Sequence, residues 1–129
     1  MKNDILDALF DLAKNSEPVF RVRIFAAIID NNKIETIARN SKKTHPLAAK
    51  FSRHPDAIHL HAELNAIVSA DKNVEGKDLY VVRAKNDKNE MILGNSFPCE
   101  GCMKALVAFK IRNVYYSTDD DYEVISITK

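Results

Sequence analysis

Four side chains in this sequence could do chemistry together. His61 and Glu63 lie in the run His61-Ala62-Glu63, and Cys99 and Cys102 in Pro98-Cys99-Glu100-Gly101-Cys102. Zinc prefers thiolate and imidazole ligands, and a catalytic zinc site takes three protein ligands so that the fourth tetrahedral position stays open to water. His61, Cys99 and Cys102 supply such a set. Glu63, two residues past the histidine, is too close along the chain for a comfortable fourth ligand but well placed to carry protons to and from water, which makes it the candidate general acid/base. A Cys-x-x-Cys pair alone also fits a redox motif or half of a structural zinc knuckle. A closed structural site would need a fourth ligand, and with two cysteines in the chain only His45, His54 and His59 remain to provide it.

Taken together, the two runs carry the pattern H-x-E…P-C-x-x-C, and in this the chain resembles the zinc-dependent cytidine deaminase superfamily. The longer run His61-Ala62-Glu63-Leu64-Asn65-Ala66-Ile67 is similar in particular to the deoxycytidylate deaminase branch. The resemblance, over roughly residues 20 to 127, implies an α/β fold of three α-β-α layers with a mixed five-stranded sheet and about three helices, and a length of 129 residues fits a single domain over 1–129. It implies a bound Zn2+ and hydrolytic deamination of a cytosine nucleotide or nucleoside with release of ammonia, dCMP to dUMP being favoured. It also implies substrate contacts. An asparagine after the second strand meets the sugar in the family, and Asn40 holds that place. Ser96 and Phe97 precede the cysteines where the family offers a backbone carbonyl to the substrate amino group, and Phe97 can wall the pocket. Homo-oligomers are usual in the family.

Charge narrows the substrate. From Thr36 to Pro55 there is no acidic residue, while Arg39, Lys42, Lys43, Lys50 and Arg53 are present with His45 and His54. Such a basic loop, with Lys43 and His45 at its centre, can receive a nucleotide phosphate; otherwise it is a solvated loop. The whole chain carries a net charge of +1 and no Trp, which argues against a polynucleotide substrate. Against dCMP stands the short Thr118–Asp121 connection near the end. It cannot hold a crossover helix, and in this it resembles nucleoside deaminases and small phage-type deaminases. A rival from another class is a non-enzymatic, zinc-stabilised binding domain with four metal ligands. No stretch approaches the ~20 apolar residues of a membrane span, and Met1-Lys2-Asn3-Asp4 does not open a secretory signal, so a cytoplasmic location is expected.

The elements that must position these residues follow from periodicity. Ile5, Leu6, Leu9, Phe10 and Leu12 predict an amphipathic helix over 4–14, capped by Asn3 or Asp4 and ended before Pro18. Val19–Asp30 and Ile34–Arg39 read as an antiparallel hairpin turning at Asn31-Asn32-Lys33. A helix is expected over His61–Lys72, then a strand from Asp78 or Leu79 to Ala84. Residues 86–94 form a second hairpin or an irregular loop. Pro98 fits the first turn of a helix, with Cys99 and Cys102 at i and i+3 on one face and Leu106, Val107 and Phe109 packing inward. Val114–Ser117 and Tyr122–Thr128 are antiparallel end strands. A right-handed crossover in such a chain starts both metal-bearing helices at one edge of the sheet, so His61 and Cys99 should meet.

Overall fold

The computed structural model describes residues 2–18, 22–43, 46, 50, 61–70 and 73–127. The chain order is α1 (Lys2–Lys14), β1 (Arg23–Asp30), β2 (Lys33–Arg39), α2 (Ala62–Ser69), β3 (Asp78–Asp87), β4 (Glu90–Gly94), α3 (Glu100–Ala108), β5 (Asn113–Ser117) and β6 (Tyr122–Ser126).

The strands make one mixed sheet in the order β2-β1-β3-β5-β6, with β4 added alongside β3. All neighbours are antiparallel except β3 and β5, which run parallel with Leu79 opposite Val114 and Val81 opposite Tyr116. That pair is joined by a crossover containing α3, as a parallel connection requires. The sheet therefore has six strands where five were expected. The difference arises because β3 continues to Asp87, beyond the expected end at Ala84, and its extension pairs with β4 from Arg83–Gly94 to Asp87–Glu90. Residues 86–94 thus close a hairpin.

Both tight hairpins turn on two residues with positive φ: Asn31 and Asn32 at 51° and 65°, Lys88 and Asn89 at 52° and 68°. Two successive left-handed residues match the twist of the strands they join. Asparagine tolerates that region better than other side chains, and three of the four positions hold it.

Helices cover both faces. On one, Leu6 and Leu9 of α1 pack on Ala27, Ile29, Tyr80 and Val82. On the other, Ala62, Ala66 and Ile67 of α2 and Leu106 of α3 pack on Ala26, Ile28, Leu79, Val81 and Val114. The alternation of β1 and β3 explains this, since successive residues point to opposite faces. Helix α1 begins at Lys2, two residues before the expected start, and α2 ends at Ser69, with Asp71 and Lys72 outside the described residues. Strand β1 is described from Arg23; the expected Val19–Arg21 part lies outside the described residues. β6 ends at Ser126 rather than at Thr128. Helix α3 closes with Lys110 at φ 60°, Lys110 N–H donating to Val107 and Ile111 N–H to Leu106. This Schellman pattern folds Ile111 back onto Leu106 in the core.

Candidate metal centre

The parallel β3–β5 pair sets where the chemistry sits. Helices α2 and α3 both start at the edge where β3 and β5 end, and each starts at a metal-type residue. His61 is the N-cap of α2, with φ −71° and ψ 160°. Cys99 is the N-cap of α3, with φ −68° and ψ 170°. Neither is a common capping residue. The His61 side chain makes no cap bond, whereas Cys99 Sγ accepts from the Cys102 N–H at 3.5 Å. This corrects one sequence expectation: Pro98 lies outside the helix, before the cap, because the Cys99 sulfur takes the capping place and the first helical residue is Glu100. The i and i+3 relation of the cysteines survives as N-cap and third helical residue.

His61 Nδ1 lies 3.4 Å from Cys99 Sγ and 3.3 Å from Cys102 Sγ. All three ligand atoms lie within 4.8 Å of one another. Zinc–nitrogen and zinc–sulfur bonds of about 2.0–2.1 Å and 2.3 Å put the N···S edge of a regular tetrahedron at about 3.5 Å. The observed separations fit that edge with little movement. His61 and Cys99 are exposed and Cys102 is buried, so the set is anchored on the protein side and open on the other. Among the described residues no fourth His, Cys, Asp or Glu joins the group. Three such ligands are the complement a catalytic zinc takes; His45, His54 and His59, the sequence's candidates for a fourth, lie outside the described residues.

Protonation supports the same reading. The Cys99 thiol is held down to about 4, chiefly by the Cys102 thiol and then by the His61 ring. Cys102 is pushed up by donating to Cys99 and by burial, and the His61 imidazole is raised by its bond to Cys99. The opposite shifts show the two sulfurs coupled through one hydrogen bond, and a divalent ion held between them would favour both as thiolates.

Glu63 sits in the first turn of α2, 5% exposed. Burial raises its carboxyl above the ordinary range, with the His61 ring and the Cys102 thiol acting against the shift. A buried carboxyl whose charged form is penalised, set beside a cation site, is the kind of group that carries protons.

The expected substrate contacts are distributed unevenly. Asn40 is buried at the end of β2, where its Oδ1 accepts from Ile24 N–H at 3.2 Å and its Nδ2 donates to the Val22 carbonyl at 3.1 Å. Its amide thereby continues the β1–β2 ladder. Ser96 is 5% exposed, with Oγ donating to the Val81 carbonyl and accepting from Ser117 N–H, both at 2.8 Å. Its side chain fastens the cysteine-bearing segment to the ends of β3 and β5. Phe97 is 48% exposed and meets Tyr116 edge-on at 5.1 Å, a wall beside Cys99. Lys43 is exposed, its N–H donating to Ser41 Oγ. His45 lies outside the described residues, as do His54 and His59.

Two residues that the sequence reading gave no role belong to this edge. Asn65 Nδ2 donates to the Arg39 carbonyl at 2.8 Å, tying the first turn of α2 to the end of β2 beside Asn40. Arg83, on β3, has a buried Nε with no acceptor. The signal for Asn65 was its place within the His61–Ile67 run. For Arg83 it was a lone cation closing the apolar stretch Leu79-Tyr80-Val81-Val82.

A three-layer α-β-α sheet with a His, Cys, Cys set at the starts of two helices and a buried acid beside it defines the zinc-dependent deaminase class. Residues 2–118 match the family described as "Cytidine and deoxycytidylate deaminase zinc-binding region", and the chain belongs to that family. No curated protein matches the chain at a significant level. Among solved structures, the apo form of dCMP deaminase from cyanophage S-TIM5 is similar with a TM-score of 0.57 at 20% identity, over 90% of this chain and 84% of that one. The same cyanophage enzyme in complex with dCMP and dUMP gives a TM-score of 0.52 at 19% identity, over 90% and 82%. At these identities the likeness is one of fold. No described helix is long and apolar enough to cross a membrane.

Proposed function

We propose that the protein hydrolyses the C4 amino group of a cytosine nucleotide, converting dCMP to dUMP and ammonia. The observation that carries this reading is the convergence of His61 Nδ1 on both cysteine sulfurs at 3.3 and 3.4 Å, with the buried Glu63 carboxyl two residues past His61 in the first turn of α2. His61, Cys99 and Cys102 hold the zinc, which when bound supplies Lewis-acid activation of a water molecule. Glu63 takes a proton from the attacking water and delivers it to ring N3, then takes the proton left on the new C4 hydroxyl and passes it to the departing amino group as the C4–N bond breaks and C4=O forms. One water is consumed, one C–N bond is broken and ammonia leaves. Asn40 and the backbone of the Ser96–Phe97 segment orient the nucleotide, and the exposed Phe97 ring covers the base.

The monophosphate is favoured because a cyanophage enzyme with this fold binds dCMP and dUMP and because of the His61–Ile67 run. The short β5–β6 connection supports the second reading, a cytidine or deoxycytidine deaminase. The substrate is a free nucleotide rather than a polynucleotide, and a homo-oligomer is part of the same proposal, read out by sedimentation.

The test is ammonia release by zinc-loaded protein from cytidine, deoxycytidine, CMP, dCMP and a cytosine-containing single strand. Turnover of dCMP, abolished in Glu63→Ala with zinc still bound, is the expected result. Preference for nucleosides moves the assignment to the second reading; silence on the whole panel with one zinc bound overturns both.

A further inference from the structure

The site edge carries one cation whose purpose the fold does not explain. Of the four described arginines, Arg23 donates to the Ser16 carbonyl, Arg39 donates through Nη2 to the Glu17 carbonyl although its Nε is buried without a partner, and Arg112 pairs with Asp78 at 2.9 and 3.1 Å. Among the described residues no acceptor takes a hydrogen bond from the Arg83 guanidinium, and its Nε is buried without a partner. A buried donor left unmade is costly, more so when charged, and a guanidinium with every donor unspent is free to take a ligand.

The neighbouring acid does not answer that need. Asp119 lies near enough for Arg83 to lower its carboxyl, but only as a minor influence. Its salt bridge is with Lys85, at 3.0 Å, which is also the main cause of the lowering. That carboxylate is thus already engaged by the lysine.

Register places the Arg83 charge at the site. On β3, Leu79 and Val81 face α2 and α3, so Arg83 takes the same face one step nearer the strand's end. It stands opposite Ile24 of β1 and Gly94 of β4. Beyond Ile24 comes Asn40, whose amide pairs with Ile24 and Val22. The row across this end of the sheet is therefore Asn40, Ile24, Arg83, Gly94. The chain then runs from Gly94 through Ser96 and Phe97 into Cys99. The arginine side chain lies close over Gly94: a Cβ at that position would come within 3.1 Å of Arg83 Cδ and 3.2 Å of Cγ, so the side chain would have to shift. The added strand β4 thus works as a shelf for the arginine side chain.

We propose that Arg83 is the anion receptor of the site, its guanidinium taking the monophosphate of the cytosine nucleotide between Asn40 and the Phe97 segment. A planar guanidinium with unspent donors suits two phosphate oxygens at once. The proposal rests on the nucleotide reading above and deepens it, shifting phosphate recognition from the basic loop to β3.

The experiment compares kcat/KM for dCMP and for deoxycytidine in the zinc-loaded wild type, Arg83→Gln and Arg83→Lys. The ratio of the two should fall about 10- to 100-fold in Arg83→Gln through KM for dCMP, the worth of a charge-assisted bond. Arg83→Lys should recover part of it. An unchanged ratio in a wild type that prefers dCMP overturns Arg83 and leaves the nucleotide reading standing. If the wild type shows no preference for dCMP, that reading fails, and Arg83 is judged by inorganic phosphate alone. A rise in melting temperature with phosphate, over chloride at equal ionic strength, that is lost in Arg83→Gln upholds the anion site. The same rise in both proteins, or none in the wild type, overturns it.

Discussion

The two faces of the sheet are packed by different rules. Against α1 the seam is apolar throughout: Leu6 and Leu9 on Ala27, Ile29, Tyr80 and Val82, with polar contact left to the rim. Against α2 and α3 the middle is equally apolar, but towards the ends of β3 and β5 it gives way to buried Glu63, Cys102, Asn40, Ser96 and Ser117. Asp78, buried at the opposite edge, is neutralised by Arg112 and needs nothing further. Burying polar groups is unfavourable unless each is partnered, so their concentration at one edge of one face marks where stability has been exchanged for chemistry. The α1 face holds the sheet; the other holds it and works.

That division can be broken most directly at Glu63. Glu63→Gln should lower kcat by about 10²–10⁴-fold, the usual share of a general acid/base. Zinc content should stay at wild type, and stability should not fall, because a neutral amide replaces a carboxyl whose charge was penalised by burial. The counterpart is Leu9→Ala on the other face. Leu9 is 1% exposed, and its truncation should cost about 2–5 kcal/mol in urea unfolding. Turnover per folded molecule should stay near wild type. If Leu9→Ala depressed kcat as Glu63→Gln does, the faces would not be separable.

Zinc removal sharpens the same contrast at a smaller scale. The starts of α2 and α3 meet through His61 Nδ1 and the two sulfurs. Chelation should lower the melting temperature by an amount equivalent to about 2.7 kcal/mol if free zinc was held at 100 times its Kd. Added zinc should restore it. Cys102→Ala should melt at the chelated temperature and no longer respond to either treatment, whereas Leu9→Ala should keep the full zinc response from its lower baseline.

How much of this could be read beforehand differs between fold and site. The α1 stripe and the first hairpin were legible because burial imposes periods of 3.6 and 2 on the apolar residues, and the metal set because zinc accepts few residue types in few spacings. The extension of β3 was hidden: Lys85-Asn86-Asp87 is polar because this end of the strand is exposed, so it reads as loop although its backbone pairs with β4. The one-residue shift of Pro98 was hidden too, since cysteine is not a common cap and the spacing alone does not announce that its sulfur accepts from the Cys102 N–H. Ser96 shows the deeper difficulty. Its position was noticed for a backbone contact, but the hydroxyl's bonds to Val81 and Ser117 depend on strands 15 and 21 residues away. Arg83 escaped for the mirror-image reason, as what marks it is a set of partners it lacks: unlike Arg39, which shares the unpartnered Nε, it has no carbonyl acceptor among the described residues.

The smallest effect concerns the rim of the α1 face, where Tyr122 of β6 donates its hydroxyl to Asp7 at 2.9 Å. Burial, then Asp7, pushes the Tyr122 phenol above its ordinary value of about 10. An acid whose folded pKa is raised lends its stability in full below the unfolded pKa and loses it as pH climbs towards the folded one. The wild type should therefore weaken above about pH 10, with Tyr80, raised to about 12, contributing in the same sense. Tyr122→Phe should cost less than about 1 kcal/mol at neutral pH, since the bond is exposed to solvent. It should also make the alkaline decline shallower without abolishing it. Zinc content and turnover should not move. An equal decline in both proteins would remove Tyr122 from the account of how α1 is held, leaving the apolar seam alone to dock the helix.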